Sequence, residues 1–255
     1  MKTLQIAIVS AASILFGLFV WWLVAYLKLA NPMLLPGPAS VAAAVWEMIA
    51  DGTLIRHLAI SFARALGGFA IAAAVGVPAG ILIARFKWVG AALNPWVELL
   101  RPVPPIAFLP LAVLWFGIGE TSKVIVISYG AVFPILLNTI HGVRAIDNSL
   151  LRAARALGAS SRQVFIYVVL PAATPSVVTG LRLGAGMAIF VLVAAELIGA
   201  SSGLGWLITD AREHFLTDHI MVGIVTLGLL GWAINRALLA LESRLIKWRP
   251  PSEDS

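Results

Sequence analysis

The sequence predicts an all-α membrane protein of about six transmembrane helices, in one domain over residues 1–255. Three observations predict it. Of 255 residues, 60% are hydrophobic and only 12% are charged, with a mean hydropathy of +0.97. A soluble domain carries roughly 25% charge, so lipid is the expected solvent. Apolar runs recur along the chain, each near the roughly 20 residues that cross a bilayer as a helix. Basic residues cluster between these runs. The net charge of +6 is spread too thinly for a nucleic-acid surface and sets membrane orientation instead. The chain has no cysteine, which excludes disulfides and thiolate metal sites.

The first span is expected over 4–27. It exceeds the roughly 7–15 apolar residues of a secretory signal, so it reads as an uncleaved helix. The turn formers of 31–38 (NPMLLPGP) must leave the hydrocarbon. Ser40 can then cap a short surface helix with Val41, Val45, Trp46 and Ile49 as its apolar stripe. Span two covers 61–84, with Gly76 and Gly80 as a small-xxx-small pair for close helix approach. Span three, 95–116, carries the prolines of Asn94–Pro95 and of 101–105 (RPVPP). Proline frees backbone carbonyls, so a broken span belongs inside a bundle or beside a cavity. Spans four, five and six follow over 124–140, 177–198 and 220–241.

With the N-terminus inside, ten basic residues fall in inner segments: Lys2, Arg85, Lys87, Arg144, Arg152, Arg155, Arg162, Arg244, Lys247 and Arg249. Four fall outside: Lys28, Arg56, Lys123 and Arg212. The positive-inside rule then predicts both termini in the cytoplasm and the segment 148–171 on the same side.

That segment is the most informative part of the chain. Asn148 or Ser149 can cap a short helix. Leu150, Ala153, Ala154 and Leu157 fall on one side of it, with Arg152 and Arg155 on the other. Gly158 permits a sharp turn, Ala159 and the two serines after it can start a second helix, and Pro171 marks re-entry toward span five. From the helix pattern alone, two readings stand: a docking surface for a partner, or a basic helix lying on lipid headgroups.

The spacing Ala153, Ala154, Gly158, Val168, Leu170, Pro171 resembles the E-A-A-x3-G-x9-I-x-L-P loop of ATP-binding-cassette (ABC) importer permeases. Further runs are similar to the nitrate/sulfonate/taurine branch of that family: LPGP (35–38), RPVPPIAFLPLAVLWFGIGETSK (101–123), LRL (181–183), VAAEL (193–197), and GLG (203–205) followed by Asp218. The similarity covers about residues 20–250. The family's first motif residue is acidic and here is Arg152, an arginine shared with taurine-type members.

The resemblance implies a type I importer permease fold with a cytoplasmic coupling helix. It implies that Arg152, Ala153, Ala154, Leu157, Gly158, Ala159, Leu170 and Pro171 meet an ABC ATPase. It implies two ATPase copies, a second permease copy, an external solute-binding protein, and multi-pass placement in the bacterial inner membrane. The cargo it implies is a small anion or zwitterion, with sulfonate or taurine first and nitrate next.

No cofactor, metal or covalent chemistry is expected. The sequence lacks G-x-x-x-x-G-K-[ST], H-E-x-x-H and G-x-S-x-G, so another polypeptide must bind ATP. The four histidines, His57, His141, His214 and His219, lie near span ends and read as solvated polar residues. Candidate path residues are Ser128 and Tyr129 on span four, with Arg182 and Glu196 on span five. Arg182 and Glu196 are about 21 Å apart along a helix and about 40° apart in direction, so they share a face. Intramembrane charge faces a bundle interior, so these two either line a path or form ion pairs such as Glu196 with Arg64. The rival function is an ion-gradient-driven secondary transporter. Its expected marks, paired mid-membrane charges or an inverted repeat, are not evident in the sequence.

Overall fold

The computed structural model describes residues 2–31 and 33–245, and the backbone is helical almost throughout. The helices are α1 (Lys2–Tyr26), α2 (Pro38–Ala50), α3 (Thr53–Arg85), α4 (Lys87–Leu100), α5 (Leu109–Phe116), α6 (Glu120–Arg144), α7 (Asn148–Ala156), α8 (Ser161–Val164), α9 (Leu170–Gly199), α10 (Leu204–Glu213) and α11 (Thr217–Leu245). Among the described residues, five helical stretches are long and apolar enough to cross a membrane. A sixth span exists if α4 and the stretch Pro105–Phe116 count as one.

That sixth span departs most from expectation. The sequence suggested a proline-broken span over 95–116, and the structure has two helices, Lys87–Leu100 and Pro105–Phe116, that meet at 91° around residues 101–104. Pro102, Pro104 and Pro105 supply no backbone donor across the corner, so no helix can continue through it. Helices α3, α6 and α9 also start earlier than their expected spans. α6 begins at Glu120 because Gly119, in extended conformation, provides the cap position. This makes Glu120 and Lys123 helical rather than part of an external turn.

Two compact units form. The first comprises residues up to Ile60 and Ala200–Leu229. Within it Trp21 donates its indole N–H to the Pro36 carbonyl at 3.1 Å, tying α1 to the turn before α2. Helix α2 starts at Pro38 behind Gly37, and Ser40 donates to the Gly37 carbonyl rather than capping the helix. Its buried face is Val41, Ala44 and Met48, while Trp46 and Ile49 face outward. Of the expected stripe only Val41 is buried, and Val45 is half-buried. His57 also departs from expectation. It is buried, accepts the Gly203 N–H at 3.0 Å and stacks on Trp206 at 5.0 Å.

The second unit comprises Ser61–Gly199 and Leu230–Lys247. Its core is α6, with Val126, Ile127, Ala131 and Ile135 all at most 1% exposed. Glycines let neighbours approach it. A Cβ on Gly80 of α3 would stand 2.7 Å from the Thr139 Cβ and 2.9 Å from the Leu136 carbonyl oxygen. On α9, Gly184 would meet the Ile135 side chain at 2.6 Å. In lipid, where the hydrophobic effect does not drive helices together, such contact supplies the packing attraction.

Candidate functional site

Segment 148–171 folds as a short helix, a tight turn and the start of a long helix. Asp147, rather than Asn148 or Ser149, caps α7: its carboxylate accepts the Ser149 N–H at 2.8 Å. That hydrogen bond holds the Asp147 carboxyl below its ordinary value of 3.8. The C-terminal end is a Schellman turn. Ala159 N–H donates to the Ala154 carbonyl and Gly158 N–H to the Arg155 carbonyl, with Gly158 at φ +82°. Ser160 then opens α8 with a capping box. Its hydroxyl accepts the Gln163 N–H, and the Gln163 side chain accepts the Ser160 N–H.

The expected loop therefore ends at Ser160. From Ser161 the chain is helical through a π turn at Phe165–Val169 and on into α9. In the π turn Leu170 N–H reaches back to the Phe165 carbonyl. Pro171 offers no N–H, and the wider turn just before it accommodates the loss without stopping the helix.

No residue of α7 is buried. Leu157 is 88% exposed and Tyr167 is 74% exposed. Between them lies a concavity of about 350 Å³ lined by Ala154, Leu157, Gly158, Ala159, Gln163 and Tyr167. Nothing crowds the turn, because a Cβ on Gly158 would meet no atom within 4 Å. Helix α7 thus carries charge on one side and an uncovered apolar stripe on the other. Of the expected coupling residues, Ala154, Leu157, Gly158 and Ala159 line this concavity, whereas Arg152 and Ala153 lie exposed on α7 outside it. Leu170 and Pro171 lie in the first turn of α9.

The candidate path residues are not brought together. Ser128 donates to the Val124 carbonyl of its own helix at 2.7 Å. Tyr129 donates to the Leu100 carbonyl at 2.7 Å and packs its ring on Phe108 and Phe133. Arg182 lies half-buried, 3.5 Å from Glu242. Glu196 is 1% exposed. It receives Arg64 at 2.7 Å and Ser61 at 2.8 Å and 2.9 Å. Arg64 also grips Glu120 through two hydrogen bonds of 2.5 Å. The Arg64–Glu196 pair was legible as one reading of the sequence. Ser61 and Glu120 were not, since Ser61 sits in an ordinary span start and Glu120 read as part of a turn. A signal existed: Ser61 and Arg64 are three apart and share a helix face.

Comparison with known proteins identifies the chain. Residues 76–247 match the family model for the binding-protein-dependent transport system inner membrane component. The chain belongs to this family. It is 41% identical to the taurine transport system permease protein of Escherichia coli (strain K12), over 91% of this chain and 86% of that protein. It is 39% identical to the putative aliphatic sulfonates transport permease protein of the same strain, over 91% and 88%. Among solved structures, a chain of the inward-facing MetNI methionine ABC transporter superposes with a TM-score of 0.53 at 22% identity, over 82% of this chain and 99% of that chain. An amino acid ABC transporter chain superposes with a TM-score of 0.57 at 18% identity, over 81% and 96%.

The permease thus has the type I ABC importer fold and is a multi-pass inner-membrane component. It is the non-catalytic membrane subunit of an importer, not a secondary transporter. Among the described residues no group of three or more His, Asp or Glu could hold a metal ion.

Proposed function

We propose that the permease imports a small sulfonate, with taurine as the first candidate, and that α7 with the Gly158 turn couples it to the ATPase. The chain acts as one transmembrane domain with both termini in the cytoplasm, on the same side as α7, which the ten-to-four bias of basic residues supports. Two permease copies form the path, and each carries one coupling segment for one of two ATPase copies. An external binding protein delivers the solute. ATP-driven closure of the ATPases draws the two segments together and opens the path outward; hydrolysis resets it.

The observation that carries the coupling assignment is Leu157, 88% exposed on a Schellman turn above a concavity of about 350 Å³. A helix that only lay on headgroups would need no such cleft. The sulfonate assignment rests on the similarity to the taurine and aliphatic sulfonate transport permeases. A permease of a riboflavin transport system from Chloroflexus aurantiacus is also 35% identical, over 84% of this chain, so related chains serve other solutes too. Of the path candidates, Arg182 keeps that role, being half-exposed and loosely paired. Ser128, Tyr129 and Glu196 act as packing groups, each already engaged within the chain.

The test is Gly158→Asp. A side chain at φ +82° is strained and the carboxylate fills the cleft. The variant should reach the membrane at the normal level, lose ATPase co-purification and lose taurine uptake. Normal uptake at normal expression overturns the assignment.

A further inference from the structure

A polar cavity of about 430 Å³ lies within the second unit, away from the coupling cleft. Helix α4 and its C-cap present Asn94, Glu98 and Arg101 to it, at i, i+4 and i+7. Helix α6 presents Leu137, His141 and Arg144 at the same spacing. Two helical faces therefore converge on one space. The Arg144 guanidinium reaches to α4, where a Cβ on Gly90 would stand 3.8 Å from one of its nitrogens, an ordinary contact distance.

Several charges of the unit are engaged within it. Arg64 and Arg182 have carboxylate partners, Lys123 donates to the Gly119 carbonyl, and Arg85 and Arg236 lie over aromatic rings. Among the described residues Glu98, Arg101 and Arg144 make no ion pair and no side-chain hydrogen bond. Glu98 and Arg101 are three residues apart on one helix, a spacing at which opposite charges ordinarily pair. Both instead line the cavity.

Two guanidiniums form planar forks for an oxyanion, and a single carboxylate accepts an ammonium. Val97 and Ile140 form the apolar part of the wall, and Glu98, Arg101 and Arg144 are exposed at its open side. Arg144 is the last residue of α6, three before the Asp147 cap of α7, so the cavity adjoins the coupling segment in sequence.

We infer that this cavity is a transit site for a small zwitterion of the aminosulfonate type, with the sulfonate on Arg101 and Arg144 and the ammonium on Glu98. The assignment rests on the sulfonate-importer reading above and adds the amino group as the feature that is selected. The headgroup of phosphatidylethanolamine carries the same two charges, and the test separates the two sources.

The permease–ATPase complex, reconstituted in phosphatidylglycerol nanodiscs without binding protein, is titrated with radiolabelled taurine and with radiolabelled ethanesulfonate, which lacks the amino group. Wild type should prefer taurine. Arg101→Gln and Arg144→Gln should each weaken both probes by about tenfold, the worth of a charged hydrogen bond. Glu98→Gln should weaken taurine by about tenfold and leave ethanesulfonate unchanged or tighter. Equal effects of Glu98→Gln on both probes, or wild-type binding by the arginine variants, overturns the proposal. So does phosphatidylethanolamine that co-purifies with wild type, is lost from the arginine variants and blocks taurine in mixed-lipid discs. A failure of the importer reading is seen separately, as absence of ATP-driven taurine uptake by the wild-type complex with its binding protein, whereas the Glu98→Gln comparison reports on the cavity alone.

Discussion

The buried charges around Arg64 and the exposed segment around Leu157 solve opposite problems. At Arg64 the chain satisfies its polar groups internally: the guanidinium is 2% exposed and meets Glu196 and Glu120, and Ser61 adds a hydroxyl. At Leu157 it leaves apolar surface uncovered, with no buried residue on α7. The first region is finished by the chain, and the proposed coupling leaves the second to be finished by another polypeptide. The difference teaches where to expect stability effects and where to expect functional effects. Substitutions at the first should cost folding, and substitutions at the second should cost transport with folding intact.

Arg64→Leu should have the largest effect on stability. It leaves the Glu196 charge without its guanidinium, and breaking a buried pair this way costs about 3–5 kcal/mol. Thermal unfolding of the detergent-purified protein checks this, and Arg64→Leu with Glu196→Leu should recover part of the loss. Unchanged melting of the single variant would break the comparison.

Gly80→Leu should come next, at about 1–3 kcal/mol of overpacking against Thr139 and Leu136. Gly67→Ala is the control. Its Cβ would find Val124 no nearer than 3.9 Å, so its melting should match wild type or rise slightly.

Leu157→Asp should shift stability by no more than about 0.5 kcal/mol, as for most surface changes. Uptake and ATPase co-purification should nevertheless be lost. Retained uptake would show that the exposed stripe does not need a partner.

The smallest effect is expected at Asp147. Asp147→Ala should fray the start of α7 and slow uptake without abolishing it, read as a reduced initial rate at equal expression. The pH dependence has a definite sign. Because the Ser149 N–H holds this carboxyl below its ordinary value, the cap's contribution is present at and above neutral pH and is lost only as pH falls below 3.8. Transport between pH 6 and 8, roughly the physiological range, should therefore not vary through this cap. A difference between wild type and Asp147→Ala that changes across that interval would count against it.

Much of the site was legible before the structure. Ala153, Ala154, Gly158 and Pro171 lie in one continuous stretch, and the helix cap, the glycine turn and the apolar stripe depend on neighbours along the chain. What was misread there also has a local cause. Asp147 outcompeted Asn148 and Ser149 as the cap, and a π turn carried the helix past the point where Pro171 suggested a break. The path residues were less legible. Ser128 and Tyr129 look available in sequence, but a hydroxyl in a lipid-embedded helix finds the nearest carbonyl, either in its own helix or in the turn packed beside it.

By itself the sequence determined the solvent, the approximate number of spans and the local fold of the segment around Gly158. Composition, apolar run length and local turn chemistry act over one to twenty residues, and such short-range terms are present in any stretch of chain. The tertiary structure alone decided the partners of each charge. Ser61 and Glu196 are 135 residues apart, and Arg64 and Glu120 are 56 apart. Asn94, Glu98 and Arg101 share a cavity with His141 and Arg144, which lie beyond the 91° proline corner at residues 101–104. Which charges end up satisfied and which remain open to a ligand depends on how helices cross, and that is settled by contact between residues far apart in the chain.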